Sequence, residues 1–256
     1  MVSNRAWPSF DESMQFSAYY NHKRTDDHLW GTLKERYEQI SSLATDRSRI
    51  PKILHQIWLG GDMPSLERRL VQHTKNTLDS NWEHILWTEA DIDKIDYNKE
   101  HFNATPNLGQ KSDLLRYAIL NQYGGVYMDT DFLLLDSFDH LLHLDFFSGI
   151  AYDSRPNLFN GLIGSSAHNP VITSLLELDR PIEHRDAMLV MDSTGPFFHT
   201  RRFFECLRLC DRAVALPNSF FYPYPNFECC KSLGGDYNKY IKPETICCHM
   251  WSSSWM

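Results

Sequence analysis

The stretch Gly124-Gly125-Val126-Tyr127-Met128-Asp129-Thr130-Asp131-Phe132-Leu133-Leu134-Leu135 constrains this chain more than any other. A mostly apolar run ends in two carboxylates one residue apart, and a second apolar run follows at once. In an extended chain residues two apart face the same way, so Asp129 and Asp131 are expected to point together from the end of a buried strand. Carboxylates flanked by apolar residues are costly to bury without a cation or hydrogen bonds. A divalent cation between them and a ligand meets that need. The spacing alone decides nothing, because a chain with 21 Asp contains such triplets by composition. The other, Asp91-Ile92-Asp93, follows Thr88-Glu89 and reads as the solvated first turn of a helix.

The residues leading into this stretch form the clearest helix of the sequence, from Gly109 to Tyr123. Leu114, Leu115, Ala118, Ile119 and Tyr123 make its apolar stripe and Gly124 its stop. Asp113 and Arg116 stand at i and i+3 and share a face. A structural salt bridge is one reading of that pair. The other is a shared site, favoured because the helix feeds directly into the carboxylate strand.

Upstream, Ile50 to Trp58 reads as a buried strand bounded by Pro51 and Gly60-Gly61, a helix follows Met63-Pro64-Ser65, and His84 to Thr88 reads as a second strand. Strand, helix, strand, helix is the rhythm of an α/β layered fold. Downstream, strands are expected at Ser148–Asp153, Leu158–Gly164 and Val214–Pro217, and helices after Asn169-Pro170 and Gly195-Pro196. Asn160-Gly161 reads as a hairpin-type turn or as a polar site residue, and spacing favours the turn. Phe220 to Phe227 reads as an irregular surface loop. Residues 1–49 form an N-terminal helical extension, with Leu29, Leu33, Tyr37, Ile40 and Leu43 at helical spacing, ahead of a main domain at 50–256.

A net charge of −8 and the absence of a basic stripe argue against nucleic acid as a partner. No apolar run approaches the ~20 residues of a membrane helix, and residues 1–21 lack an apolar signal-peptide core. A soluble, cytoplasmic chain without anchor is expected. All six cysteines fall between Cys206 and Cys248 without a Cys-x-x-Cys, so buried reduced thiols are the default reading.

Three motifs taken in order resemble the family of glycosyltransferases with a DXD sugar-binding region, also called family 32. They are Ile50-Pro51-Lys52-Ile53-Leu54-His55-Gln56-Ile57-Trp58, Lys111-Ser112-Asp113-Leu114-Leu115-Arg116-Tyr117 and Tyr123-Gly124-Gly125-Val126-Tyr127-Met128-Asp129-Thr130-Asp131. Weaker echoes are Thr194-Gly195-Pro196 and the ending from His249 to Trp255. The family includes initiating mannosyltransferases, sphingolipid mannosyltransferases and α-galactosyltransferases. The resemblance implies a GT-A fold, a Rossmann-like central sheet flanked by helices, and a metal-dependent retaining transfer. A hexose would pass from a UDP- or GDP-linked sugar to a glycan or another hydroxyl acceptor. By the same resemblance Asp131 is a direct ligand of Mn²⁺ or Mg²⁺, and Asp129 contacts metal, ribose or sugar. Asp113 and Arg116 hold donor-sugar hydroxyls, with Asn160 a further donor contact. Trp58 is either a stacking partner for the nucleotide base or a core residue, and His249 either completes the metal shell or is structural. Oxygen ligands suit Mn²⁺ or Mg²⁺ better than zinc. Two other readings stand beside this one: a catalytically weak nucleotide-sugar-binding module, and a phosphatase with Asp129 as nucleophile. Against the latter, Leu133 stands two residues beyond Asp131 and the motif lies deep in the chain.

Overall fold

A computed structural model describes residues 7–14, 28–43, 47–150, 156–178, 186–226 and 236–252. Helices α1 (Phe10–Met14) and α2 (His28–Ser41) come first, then β1 (Ile53–Ile57), α3 (Ser65–Thr77), β2 (Glu83–Trp87), α4 (Lys99–Ala104), α5 (Leu108–Tyr123) and β3 (Gly125–Met128). The chain continues through β4 (Phe132–Leu134), β5 (Phe146–Ile150), β6 (Leu158–Ser165), α6 (Pro170–Leu175), α7 (Ala187–Ser193), α8 (Pro196–Cys206), β7 (Ala213–Leu216), α9 (Asn218–Phe221) and β8 (Cys247–His249). Six strands form one mixed sheet in the order β2-β1-β3-β6-β5-β7. Its first three are parallel, as β-α-β crossovers require, and β6 then runs antiparallel between β3 and β5. Helices flank this sheet, which is the α/β arrangement expected. No helix among the described residues is long and apolar enough to cross a membrane.

Gly124 stops α5 with φ at +65°, a conformation an L side chain resists. A Cβ there would also meet Ala167 N at 2.8 Å. The chain therefore passes from helix to strand with no loop, and everything on one face of α5 is carried against the end of β3.

The strand itself is shorter than its apolar run suggests. β3 ends at Met128, and Asp129-Thr130-Asp131 form a turn in which Phe132 N donates to Asp129 O. The chain then enters a second, two-stranded sheet in which β4 pairs antiparallel with β8, Phe132 opposite His249. The two carboxylates are thus brought together by a turn between sheets rather than by the pleat of one strand.

Asn160-Gly161 is not a hairpin turn. Both residues lie inside β6, where the pairing with β5 jumps from Ser148–Ile163 to Gly149–Phe159. The turn-prone pair forms a bulge in a central strand, and bulges re-aim side chains. Ser148 Oγ closes the gap by donating to Phe159 O at 3.0 Å. The expected surface loop from Phe220 is also corrected: Phe220, Phe221, Tyr222 and Tyr224 are buried, because aromatic rings from four elements need their surface. Phe227, Cys229, Cys230, residues 151–153 and the tail from Ser253 to Trp255 lie outside the described residues. Cys206, Cys210, Cys247 and Cys248 are buried free thiols, as expected.

On α2 the buried face is Trp30, Leu33, Tyr37 and Ile40, while Leu29 and Leu43 are exposed. Trp30 fills the position assigned from spacing to Leu29, one residue away and about 100° round the helix. That face packs on the sheet edge: Arg36 Nε donates to Ala213 O at 2.9 Å in β7, and the Tyr37 ring lies 6.4 Å from Phe220.

Candidate active site

The first wall of the site is built on α5. Asn107 caps this helix by accepting from Gln110 N at 3.0 Å, which sets the rotation of the turns that follow. Asp113, Arg116 and Tyr117 are consequently buried against β6 and the start of α8. Arg116 Nη1 donates to Asn160 O at 2.6 Å, and Nη2 lies 3.3 Å from Asp113 Oδ1 and 3.2 Å from Asp129 Oδ1. Asp113 also accepts from Asn160 Nδ2 at 2.8 Å and from Thr194 Oγ1 at 2.8 Å. Tyr117 closes the network by accepting from Asn160 Nδ2 and donating to Thr194 O. The Asp113–Arg116 pair is thus both salt bridge and part of a shared cluster.

The second wall is the β3–β4 turn. Asp129 Oδ1 accepts from Tyr127 OH at 2.5 Å, and Asp129 N donates to Gly161 O at 2.8 Å. Across the turn, Asp131 Oδ1 lies 3.1 Å from His249 Nε2, and Oδ2 accepts from Ser252 N at 3.0 Å. Met250 N donates to Asp131 O at 2.9 Å. A single aspartate therefore ties the turn to a segment more than a hundred residues away.

One guanidinium serves two carboxylates in the first wall. Burial pushes Asp113 up to about 6 against the opposing pull of Arg116, and burial likewise raises Asp129. Asp131 is also buried, but His249 and the Ser252 donors outweigh the burial and hold it below the usual carboxylate range. Asp113 and Asp129 thus share one guanidinium, while Asp131 is held by His249 and the Ser252 donors.

Both walls face one cleft of about 320 Å³. Trp58, Asp113, Arg116, Asp129, Asp131, Asn160 and His249 all line it, so the structure brings together every residue singled out from the sequence. Trp58 sits just beyond β1, its indole nitrogen donating to Gly61 O at 2.8 Å. Asp129, Asp131 and His249 each offer a ligand atom within 4.8 Å of the others. Two carboxylate oxygens and one imidazole nitrogen fit a hard divalent cation.

Sequence reasoning passed over several lining residues. Tyr127 shares the period-2 face of Asp129, a signal that was available. Phe159, Tyr222 and Trp251 also line the cleft; Trp251 falls in the marked ending from His249, while nothing in their local sequence marks Phe159 or Tyr222.

Residues 64–147 match a family model described as "Glycosyltransferase sugar-binding region containing DXD motif". An uncharacterized glycosyltransferase, L373, of Acanthamoeba polyphaga mimivirus is 32% identical over 157 residues, covering 57% of this chain and 61% of that protein. Inositol phosphoceramide mannosyltransferase 3 of Schizosaccharomyces pombe is 30% identical over 162 residues, 58% of this chain and 43% of that protein. The chain thus spans less than two thirds of the length of either relative. Among solved structures, the PaToxG glycosyltransferase is 18% identical with a TM-score of 0.47, covering 70% of this chain and 78% of that one. Over residues 64–147, which include Asp113, Arg116, Asp129 and Asp131, the chain is thus similar to the glycosyltransferase sugar-binding region containing the DXD motif.

Proposed function

We propose that the protein is a metal-dependent, retaining glycosyltransferase of the GT-A type that moves a hexose from a nucleotide-sugar to a hydroxyl acceptor, glycans included. The observation that carries this reading is the convergence of the Asp129, Asp131 and His249 ligand atoms on the cleft that also holds the Asp113–Arg116–Asn160 network. Asp129, Asp131 and His249 would hold Mn²⁺ or Mg²⁺, which when bound acts as a Lewis acid toward the charge developing on a diphosphate leaving group. Ser252 and His249 hold Asp131 in place. Arg116 holds Asp129 and offsets part of its charge. Asp113 accepts three contacts, and a carboxylate has about four lone-pair sites, so one remains for a sugar hydroxyl. Trp58, at the same cleft, offers an aromatic face to the base.

Retention belongs to the same reading and rests on the resemblance of the three sequence motifs to the DXD family. The domain division at residue 50 and a cytoplasmic placement belong to the same reading. Recovery of the activity in membrane fractions after lysis overturns the placement.

The test is a panel of UDP- and GDP-sugars with Mn²⁺, reading release of nucleoside diphosphate. Three relatives are named as inositol phosphoceramide mannosyltransferases, so mannosyl donors come first. One donor is expected to turn over, EDTA to stop it, and Mn²⁺ or Mg²⁺ to restore it. Full activity in chelator removes the metal from the mechanism. Donor binding without any turnover leaves a nucleotide-sugar-binding module.

A further inference from the structure

The ring of Tyr222 is the most heavily clamped side chain at the cleft. It lies 5.5 Å from Phe132, 5.4 Å from Phe159, 5.7 Å from His249 and 6.0 Å from Trp251. On its other side a Cβ at Gly149 would sit 2.5 Å from Tyr222 Cε2, so this slot exists only because β5 carries glycine there. The side chain is 1% exposed, yet its hydroxyl has no hydrogen-bond partner among the described residues. Buried hydroxyls are nearly always paired, and leaving one unpaired is costly.

Tyr222 lines the cleft, and its hydroxyl lies next to the carboxylate turn. The point where a Gly161 Cβ would stand is 2.7 Å from Asp129 Oδ2 and 3.5 Å from Tyr222 OH, so the two oxygens flank the gap that this glycine leaves. It stands on the side of the cleft that carries His249 and Asp131, away from the Asp113–Asn160 network on α5.

We infer that Tyr222 is a further catalytic residue, whose hydroxyl donates a hydrogen bond to a diphosphate oxygen of the sugar donor as the leaving group departs. The inference rests on the glycosyl-transfer reading above. In the step it serves, the bond from the anomeric carbon to the diphosphate breaks with its electron pair on oxygen. The acceptor oxygen bonds that carbon, and the acceptor proton passes to the leaving diphosphate. The phenol keeps its own proton throughout. A donor fixed by packing needs no reorganisation when that charge appears, which is why such groups favour the transition state over the ground state.

The variant that isolates the hydroxyl is Tyr222→Phe, which keeps the ring and its clamp. Because the hydroxyl is unpaired in the free protein, the melting temperature is expected to stay level or rise. Per folded molecule, kcat for donor turnover is expected to fall about 10- to 100-fold with little change in donor KM, and the deficit to be constant from about pH 6 to pH 9. Equal kcat in variant and wild type overturns the inference while the glycosyl-transfer reading stands. A lower melting temperature with unchanged kinetic constants marks a packing role and overturns it too. Absence of turnover in the wild type, with every donor, overturns both.

Discussion

The two walls of the cleft are built on opposite plans. On the α5 wall, Asp113, Arg116, Asn160, Tyr117 and Thr194 satisfy one another at 2.6 to 3.3 Å in a network buried behind the surface. On the wall made by the β3–β4 turn, the residues 249–252 and α9, Tyr222 OH and His249 Nδ1 are buried without partners among the described residues. A satisfied network is rigid and loses stability when cut, whereas unpaired groups cost stability until a ligand completes them. Substitutions in the first wall should therefore be read mainly in folding, and substitutions in the second mainly in turnover.

The largest effect is expected from Arg116→Met. It leaves Asp113 and Asp129 without their shared counter-charge, which should lower stability by about 3–5 kcal/mol in denaturant titration. A loss below about 1 kcal/mol would mean that the first wall is not the rigid one. Next comes Asp131→Asn, expected to reduce metal-dependent turnover about a thousandfold, roughly 4 kcal/mol of transition-state stabilisation, at a much smaller cost in stability. Wild-type affinity of that variant for Mn²⁺ and nucleoside diphosphate would remove Asp131 from the metal shell.

The walls also differ in the sign of their pH dependence. Asp113 titrates in the fold at about 6, above its ordinary value of 3.8. The folded state holds that proton more tightly than the unfolded chain, so its contribution is fully present below the ordinary value and is lost as pH rises through about 6. Asp131, held low, contributes in the opposite sense: its share is present above 3.8 and lost as the pH falls through its depressed value. Asp113→Asn should therefore flatten the stability profile between pH 4 and pH 7 by about 3 kcal/mol relative to wild type, measured by denaturation of the metal-free protein. An unchanged profile would show that Arg116 fully compensates Asp113. The smallest effect is expected of Gly161→Ala, whose Cβ would stand 2.7 Å from Asp129 Oδ2. Pushing that oxygen aside should cost about tenfold in turnover with the fold intact. No change in turnover would place Asp129 Oδ2 outside the chemistry.

Some of this was legible in the sequence because it depends on local periodicity. The α5 stripe, its glycine stop and the i, i+3 spacing of Asp113 and Arg116 follow from 3.6 residues per turn, and the apolar run before Asp129 follows from burial of a central strand. The same locality explains the errors. Asn160-Gly161 carries a turn signal in isolation, but pairing with β3 on one side and β5 on the other holds it in a bulged strand. The aromatic run from Phe220 looks like a loop until β4, β5 and β6 supply rings to bury it.

By itself the sequence determined an α/β layering, the helix that leads into the carboxylates, and the residue types able to bind a cation, because each is written in spacings of a few residues. Which residues meet depends on pairings between elements far apart in the chain. The β4–β8 pairing sets His249 opposite Phe132 and so beside Asp131, the junction between α7 and α8 brings Thr194 to Asp113, and the bulge in β6 aims Asn160 at α5. These contacts join positions 47 to 118 residues apart. Closing such loops has an entropic cost that no local propensity offsets; the burial of the whole core does, and only once the sheet has assembled.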